Sequence, residues 1–344
     1  MKYLAVSILL LHPQTAFALQ YELIKTYTAE NLFDEFKFFS GQDPTGGFVQ
    51  FTPFEKSAAT GLIGNATGQV YLGVDTTNVY PPGGPGRPSV RLESKLTFSE
   101  GLFVLDLSHL PVGCGTWPAF WTVGLGDWPA DGEIDIIEGV NDATHNDASL
   151  HVAGDCTVSD TVAQTGTWKD TNCNVEHDGN MGCGTKFSDA NSLGEAFNQN
   201  GGGVYAMEWT SSTVNVWFFP PTFVPASLST LASFDPSISH PDPSTFGIPS
   251  ASFSGPCSSS FGEKLFNHTI VIDTTFCGGW AGGSFGKGAT KCPTLSGASS
   301  VESCVDFVGN HPEAFAEAYW LLNNLRVWQR RAWKLERKRK RRKI

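Results

Sequence analysis

The stretch Gly132-Glu133-Ile134-Asp135-Ile136-Ile137-Glu138-Gly139 places three carboxylates inside an isoleucine-rich segment. A short β-branched segment bounded by glycines predicts a β-strand. On a regular strand Glu133 and Asp135 share one face, while Glu138 points to the other. A β-bulge at Ile136–Ile137 inserts one residue and returns Glu138 to the first face. We therefore expect the three acids along one face of a sheet that is concave on that side, because curvature is needed for the outer carboxyl groups to converge.

Three acids on one strand are compatible with more than one kind of site. A calcium site usually offers oxygen ligands on a loop with Gly or Asn between the acids, whereas the spacers here are isoleucines. A solvated edge strand is the other plain interpretation. Paired carboxylates on a concave sheet are instead typical of a glycosidase, in which one acid attacks as the nucleophile and the other protonates the leaving oxygen. The middle carboxylate can hold the first in place and influence its ionisation.

Aromatic residues surround this cluster in the sequence. Gly115–Trp121 holds two tryptophans and a phenylalanine, and Gly126–Pro129 holds another tryptophan. Sugar rings have apolar faces that stack on indole, while their hydroxyls need polar partners. A single tryptophan is most often a core residue, but several beside three carboxylates indicate a floor for a saccharide.

The rest of the sequence predicts an all-β fold. Short segments rich in β-branched or aromatic residues recur between turn residues: Leu102–Leu107, Trp117–Val123, Ser149–Val152, Val204–Trp209, Thr213–Phe219 and Thr269–Thr274. Helical periodicity is nearly absent apart from a possible turn at Pro312–Ala316. Pro220–Pro256 reads as a long ordered loop anchored through Cys257. Because residues 20–329 contain neither a repeat nor a linker, we expect one antiparallel sandwich.

Composition and charge exclude several classes of protein. The 344 residues include 37 Gly and 20 Pro, and only 17% are charged. Aromatic residues make up 12%, too many for a disordered chain, and the charges are too few for a coiled coil. The net charge is −11, but Arg326–Ile344 holds eleven Lys/Arg and one acid, which leaves 12 basic and 33 acidic residues in residues 1–325. A body so acidic predicts that no nucleic acid is bound.

Both termini differ from the predicted domain at residues 19–329. Residues 1–18 combine a charged start, the apolar run Leu4–Leu11 and Ala16-Phe17-Ala18, which is typical of a cleaved secretory signal peptide, with a buried first strand as the alternative. Residues 330–344 form a basic tail, which predicts a solvated, disordered appendage or, as the alternative, a segment that binds an anionic surface. No other stretch is apolar for 18 residues, so no membrane span is expected.

The cysteines and sequons agree with export from the cell. Eight cysteines form an even set, so up to four disulfides are expected, although their spacing leaves the pairing open. Asn65 and Asn267 begin Asn-x-Ser/Thr sequons and are candidate glycosylation sites. We expect a secreted, extracellular glycoprotein.

Taken together, the motifs resemble the fungal endo-β-1,3-glucanases (laminarinases) of glycoside hydrolase family 16, in the concanavalin-like clan. The resemblance spans roughly residues 20–329 and is carried by GRPSVRLES at 86–94, CGTWPAFWTVG at 114–124, GEIDIIEGVN at 132–141, GGGVYAMEW at 201–209, NHTIVIDTTFCGGWAG at 267–282 and YWLLNNLRVWQ at 319–329. It implies that residues 19–329 form a glycoside hydrolase catalytic domain, a β-jelly-roll sandwich of two antiparallel sheets with a concave substrate cleft. It also implies retaining hydrolysis of internal β-1,3 bonds in laminarin-type glucans, with mixed 1,3;1,4 or 1,6-branched chains as further substrates.

The resemblance implies a role for each acid of the cluster. Glu133 matches the nucleophile, Asp135 the assisting carboxylate and Glu138 the general acid/base. The ExDxxE spacing of these residues is the laminarinase form, whereas the shorter ExDxE belongs to lichenases and to fungal and plant transglycosylases. A laminarinase is therefore the favoured interpretation within the family.

The resemblance also implies substrate-binding residues. Trp121 and Trp128 match sugar platforms on the donor side of the cut, and Trp280 matches an acceptor-side aromatic. His151 falls where the family often has a cleft histidine, with a structural histidine at the sheet edge as the alternative. Gly279 stands where relatives often carry an acid, a departure that concerns acceptor-side contacts rather than the chemistry.

Two other functions stay open at this stage. One is a cell-wall glucan transglycosylase, in which a sugar instead of water resolves the glycosyl-enzyme. The other is a non-catalytic, lectin-like glucan-binding protein, which has no use for three acids on one strand. In all three cases the partner is a β-glucan polysaccharide and we expect a monomer. We expect that no cofactor is required, and the sequence predicts no metal ligands. A structural calcium ion is compatible with the fold, but the sequence contains no compact cluster of ligands for it.

Overall fold

The computed structural model describes residues 21–229, 240–257 and 261–330. The predicted signal peptide, and the basic tail beyond Arg330, lie outside these residues.

Short strands dominate the described residues. The eighteen strands there are β1 Tyr21–Tyr27, β2 Phe36–Phe38, β3 Val49–Phe51, β4 Ile63–Ala66, β5 Gln69–Leu72, β6 Arg87–Ser89, β7 Arg91–Phe98, β8 Gly101–His109, β9 Thr116–Gly124, β10 Glu133–Glu138, β11 Asp147–His151, β12 Thr167–Asp170, β13 Cys183–Lys186, β14 Gly203–Trp209, β15 Val214–Phe219, β16 Ala251–Phe253, β17 His268–Phe276 and β18 Trp320–Arg330. Every segment predicted to be a strand is one.

Helices are few and mostly short. In the same part of the chain, the α-helices are α1 Leu32–Glu35, α2 Phe54–Ala59, α3 Gly194–Gln199, α4 Phe261–Lys264 and α5 Ser300–Asn310. Single turns of 3₁₀-helix lie at Pro221–Phe223, Pro243–Thr245 and Pro312–Phe315, and a π-helical turn lies at Gly278–Gly282. The predicted turn near Pro312 is therefore confirmed.

The strands form two large antiparallel sheets and one small parallel pair. The first sheet has the order β16-β15-β14-β8-β18-β5-β4, and β1 also pairs with β18. The second sheet has the order β12-β13-β11-β10-β9-β17-β7-β2. Strands β3 and β6 make the parallel pair. The predicted sandwich of two antiparallel sheets is confirmed.

Apolar side chains that alternate along both sheets form the core between them. Phe103, Leu105 and Leu107 of the first sheet are buried in the same cluster as Ile134 and Leu150 of the second. Alternation turns the remaining side chains of each strand to the opposite face. The acids of β10 therefore lie on the face of the second sheet that points away from the core, here called the outer face.

Two local expectations were wrong. The segment α5 is a regular helix, because Ser299 and Glu302 form a capping box at its start and Cys304 and Val308 are buried against a second apolar cluster. The stretch 220–256 is not only a loop, because it supplies β16, which pairs with β15 at the edge of the first sheet.

Four disulfides join distant parts of the chain. The pairs are Cys114–Cys292, Cys156–Cys257, Cys173–Cys183 and Cys277–Cys304. The expected number is confirmed, and so is the anchoring of the 220–256 stretch through Cys257. Within the three described ranges, no helix is both long and apolar enough to cross a membrane.

Candidate active site

The predicted β-bulge is present in β10. Against β9, Asp135 pairs with Trp121 and Ile137 with Phe120, so Ile136 has no partner of its own. Against β11, the register shifts between Asp135 and Glu138 in the same way. Both isoleucines of the bulge are fully buried in the core. The extra residue thus keeps all three acids on the outer face of the second sheet.

Each of the two glutamates accepts a hydrogen bond from an indole. Trp128 Nε1 donates to Glu133 Oε2 over 3.0 Å, and Trp117 Nε1 donates to Glu138 Oε1 over 2.7 Å. Trp128 follows β9 in a loop, whereas Trp117 lies within β9 itself. Both rings therefore orient a carboxylate and also present apolar surface beside it.

Asp135 lies at the centre of a polar chain. Ser149 Oγ donates to Asp135 Oδ2 over 2.7 Å, and His151 Nε2 lies 3.3 Å from the same oxygen. The other ring nitrogen of His151, Nδ1, lies 3.0 Å from Asn180 Oδ1. Two oxygen acceptors at the two ring nitrogens require both nitrogens to carry a proton, so this geometry holds an imidazolium.

The charge of His151 follows from the same contacts. Burial opposes a charged imidazole, but the hydrogen bond and negative charge of Asp135 outweigh it and raise the pKa of His151 to about 9. Glu133 and Glu138 add to this rise. His151 is therefore a positive charge within the acidic cluster at neutral pH.

The environment favours different protonation states for the two glutamates. Burial, and then the charge of Asp135, raise the pKa of both carboxyls, to about 8 for Glu133. The positive charge of His151 opposes this rise at both carboxyls; in addition, Glu133 has Arg91 as a positive neighbour, whereas Glu138 has Glu133 as a further negative neighbour. The two glutamates therefore titrate as a coupled pair, in which these neighbouring charges favour the proton on Glu138 and the ionised form of Glu133.

Trp121, Trp128 and Trp280 all lie around this cluster. Trp121 is opposite Asp135 on β9, and the Arg91 guanidinium lies 4.9 Å from its ring. The Trp128 side chain is 48% exposed. Trp280 packs edge-on against Trp117 with 5.6 Å between the ring centroids, and Lys169 Nζ lies 5.0 Å from it. None of the three predicted aromatic residues belongs to the core between the sheets.

The structure adds residues that the sequence analysis did not identify as part of the site. Trp117 has a signal in the sequence, because Trp117 and Trp121 are separated by two periods of a strand and so share a face. Arg91 lies in the GRPSVRLES motif at 86–94, but no strand period connects it with the acids. Asn180 has no signal in the sequence, since it reaches the cluster from a loop distant in sequence.

Three of the site residues also satisfy the spacing of a metal site. Ligand atoms of Glu133, Asp135 and His151 lie within 4.8 Å of one another. Coordination requires an unprotonated ring nitrogen on His151. Because oxygen acceptors lie at both ring nitrogens, a metal ion at these residues would have to displace a proton from His151.

The two sequons differ in their surroundings. Asn65 is exposed on β4, and its Oδ1 accepts a hydrogen bond from the Gly68 amide. Asn267 is half-buried and its Oδ1 accepts from Thr97 Oγ1 over 2.6 Å. Asn65 is thus the more accessible of the two candidate sites.

Comparison with known sequences identifies relatives along most of the chain. It is 44% identical over 312 residues to a probable endo-1,3(4)-β-glucanase of Aspergillus flavus, and 41% identical over 314 residues to the endo-1,3(4)-β-glucanase xgeA of Emericella nidulans. The matches cover 90% and 91% of this chain but 44% and 48% of those proteins. The chain therefore spans about half the length of the curated relatives it matches.

Solved structures of related proteins also match this chain along most of its length. Laminarinase 16A of Phanerochaete chrysosporium, whose structure holds 6-O-glucosyl-laminaritriose in donor and acceptor sites, is 38% identical with a TM-score of 0.83. An elongating family 16 β-1,3-glucosyltransferase is 42% identical with a TM-score of 0.82. Each match covers 90% of this chain and 100% of the other.

The family model described as the XgeA-like catalytic domain of glycoside hydrolase family 16 matches residues 36–328, from the start of β2 into β18. This range takes in every strand of the two sheets except β1, and it contains every residue of the site described above. The chain belongs to glycoside hydrolase family 16.

Proposed function

We propose that the protein is a secreted, retaining endo-β-1,3-glucanase that acts on laminarin-type glucans. The observation that carries the proposal is the row of Glu133, Asp135 and Glu138 on the outer face of β10, with tryptophans on both sides of it. Relatives named endo-1,3(4)-β-glucanases and a laminarinase support the substrate class. Binding of 6-O-glucosyl-laminaritriose by that laminarinase supports 1,6-branched chains as substrates.

The reaction is a double displacement that needs no cofactor. Glu133 attacks the anomeric carbon of the sugar on the donor side, and Glu138 gives its proton to the glycosidic oxygen as the C–O bond breaks. This forms a covalent glycosyl-enzyme and releases the acceptor-side sugar with a free hydroxyl. Glu138 then takes a proton from water, whose oxygen attacks the same carbon and releases Glu133. The configuration is inverted twice and so retained.

The supporting residues have separate tasks in this cycle. Asp135 and His151 form an ion pair beside Glu133, in which the imidazolium favours the ionised nucleophile. The indole of Trp128 orients Glu133, and the indole of Trp117 orients Glu138. We assign Trp121 and Trp128 to donor-side sugars and Trp280 to an acceptor-side sugar.

Two glutamine variants test the assignment of the glutamates. Glu138→Gln removes the general acid, a contribution of about 10²–10⁴-fold, so hydrolysis of laminarin should fall by that order. An aryl β-glucoside of suitable length has a good leaving group and should still form the glycosyl-enzyme. Added azide should then speed the second step, because azide needs no general base. Glu133→Gln should be inactive on both substrates, and azide should give at most a product of inverted configuration.

The comparison of the two variants decides the outcome. If Glu133→Gln turned over the aryl substrate normally while Glu138→Gln was inactive on both, the two roles would be reversed. Reducing-sugar release from laminarin by the unmodified protein is the first measurement, because its absence would favour a glucan-binding protein.

Transglycosylation is the second candidate function. The similarity to an elongating β-1,3-glucosyltransferase at 42% identity supports it, despite the laminarinase spacing of the acids. The chemistry up to the glycosyl-enzyme is shared, and only the acceptor differs. Product analysis with an excess of oligosaccharide acceptor distinguishes the two: chains longer than the substrate indicate transfer, and shorter chains indicate hydrolysis.

Secretion and glycosylation are part of the proposal. Four disulfides are typical of an oxidising compartment. Expression in a secreting host should yield a protein in the medium that lacks residues 1–18 and carries a glycan at Asn65, which mass spectrometry of the intact chain measures.

A further inference from the structure

The β-bulge of β10 leaves backbone groups that the strand ladder does not pair. A bulge disrupts the ladder at the extra residue. Around it, the Ile136 carbonyl and the Glu138 amide both turn toward the start of β11. Asn146, the residue before β11, donates from Nδ2 to the Ile136 carbonyl over 2.8 Å and accepts at Oδ1 from the Glu138 amide over 2.9 Å. Its side chain thus replaces two ladder hydrogen bonds at the bulge.

This role requires a carboxamide of this length. Asn146 is fully buried, at 0% exposure, so water does not serve either backbone group. One donor and one acceptor on the same short side chain are needed, and Asp or Leu does not supply both. A buried carbonyl or amide left without a partner destabilises that arrangement of the strand.

Asn146 is itself fixed from outside β10. Its backbone amide donates to Ser192 Oγ over 3.0 Å, and its carbonyl accepts from the Phe187 amide over 2.8 Å. Ser192 is in turn bonded to Asp189. Phe187 and Ser192, which follow β13, therefore hold the backbone of Asn146 in place. This fixes the position from which its carboxamide bonds to the bulge.

We infer that Asn146 is a positioning residue for Glu138, an inference that rests on the proposed role of Glu138 as the general acid. In regular pairing Glu138 would face the core, so its presence on the outer face depends on the bulge that Asn146 supports. Glu133 and Asp135 precede the bulge and are held by their pairing with Val123 and Trp121. Loss of the carboxamide should therefore displace the carboxyl group of Glu138 more than that of Glu133.

The test is Asn146→Asp, which keeps the size of the side chain and its acceptor but removes the donor to Ile136. We expect kcat on laminarin to fall about tenfold or more with little change in KM, while formation of the glycosyl-enzyme from an activated aryl glucoside falls much less. Hydrogen–deuterium exchange of residues 134–139 should also become faster. If Asn146→Asp does not fold, Asn146→Ser is the second variant, because its hydroxyl is too short to bridge the Ile136 carbonyl and the Glu138 amide, and the same two measurements apply.

Asn198→Asp is the matched control. Asn198 also bridges an amide and a carbonyl, since its Oδ1 accepts from Leu110 N over 2.8 Å and its Nδ2 donates to Leu110 O over 2.9 Å. It lies on α3, away from β10, so its variant should show no difference between the two substrates.

Two outcomes separate this inference from the proposed function. Equal losses on both substrates in a folded Asn146 variant, or unchanged exchange in residues 134–139, would overturn the positioning role. If instead Glu138→Gln itself failed to spare the aryl substrate, the assignment of the general acid would be wrong, while the exchange measurement would still report on the bulge.

Discussion

At the scale of single residues, His151 is the positive charge that opposes the effect of Asp135 on both glutamates. It faces Asp135, Glu133 and Glu138 of β10, and from the loop after β12 it faces the uncharged Asn180. Its positive charge lowers the pKa of both glutamates, which burial and Asp135 raise. We therefore propose that His151 takes part in setting the pH dependence of the activity.

His151→Gln should move the pH profile of laminarin hydrolysis upward. With a pKa of about 9, His151 is charged throughout the acidic limb of the profile, where Glu133 must ionise. Removing the imidazolium raises the pKa of Glu133, so the ionised nucleophile appears only at higher pH, by about one pH unit. The pH dependence of kcat/KM measures this shift.

A control variant tests whether the shift of the pH profile is specific to His151 or follows from the loss of any histidine. His177→Gln removes an exposed histidine that pairs with Asp170 over 3.4 Å, and it should leave the profile unchanged. An unchanged acidic limb in His151→Gln would show that His151 is neutral in the working range.

At the scale of elements, the loop between Cys173 and Cys183 delivers the second contact of His151. The disulfide closes this loop across a sequence separation of ten residues. Asp178, Gly179, Asn180 and Gly182 all have φ between 43° and 68°, in the left-handed region. This tight turn of the backbone brings Asn180 Oδ1 to Nδ1 of His151. The titratable side chains of the loop, which are those of Glu176, His177 and Asp178, are exposed.

Substitutions at Asn180 should change the pKa of His151 in opposite directions. Asn180→Ala removes the acceptor at Nδ1 and should lower the pKa of His151 by about one unit. Asn180→Asp places a carboxylate there and should raise the pKa above that of the unmodified protein. Titration of the imidazole by ¹⁵N NMR measures both shifts without any need for activity.

Met181→Ala is the control for the Asn180 variants, since this side chain is exposed in the same loop and carries no charge. It should leave the titration unchanged. A shift of the same sign in Asn180→Ala and Asn180→Asp would indicate that the loop merely loses its structure.

At the scale of the whole molecule, the disulfides join the sandwich to the segments that cover its edges. Cys114–Cys292 and Cys277–Cys304 tie the region of Trp280 and α5 to the strands β9 and β17. They enclose a separate apolar cluster that includes Phe276, Phe285 and Phe315. The region of Trp280, which we assign to an acceptor-side sugar, is thus supported by a second core, apart from the one between the sheets.

The disulfides should contribute unequally to stability. In the chain-entropy model, closing the 178-residue separation of Cys114–Cys292 contributes about 5 kcal/mol, and closing the ten-residue separation of Cys173–Cys183 about 3 kcal/mol. Replacing both cysteines of each pair by serine should therefore lower the free energy of unfolding more for the first pair, as chemical denaturation measures. An equal or reversed order would indicate that packing around the bridges outweighs loop closure.

The features of this protein that depend on local period could be predicted from the order of its residues alone. Strand segments follow from alternation and from the turn residues that bound them, and the spacing of Glu133, Asp135 and Glu138 already requires a bulge if all three are to share a face. Trp117 also belongs to this class, because it alternates with Trp121. The three acids and the tryptophans beside them could be predicted for the same reason, because residues that are neighbours along one strand are also neighbours in space.

The distant residues that complete the site could be identified only from the folded structure. Disulfide pairing, the helix α5 and the edge strand β16 depend on which segments the folded chain brings together. Asn146 reaches the bulge because β11 pairs with β10, and Asn180 reaches His151 because a closed loop returns to the second sheet. Both are ordinary polar residues in sequence. Their roles arise because a buried hydrogen bond needs a partner at one position in space, and separation along the chain does not encode that position.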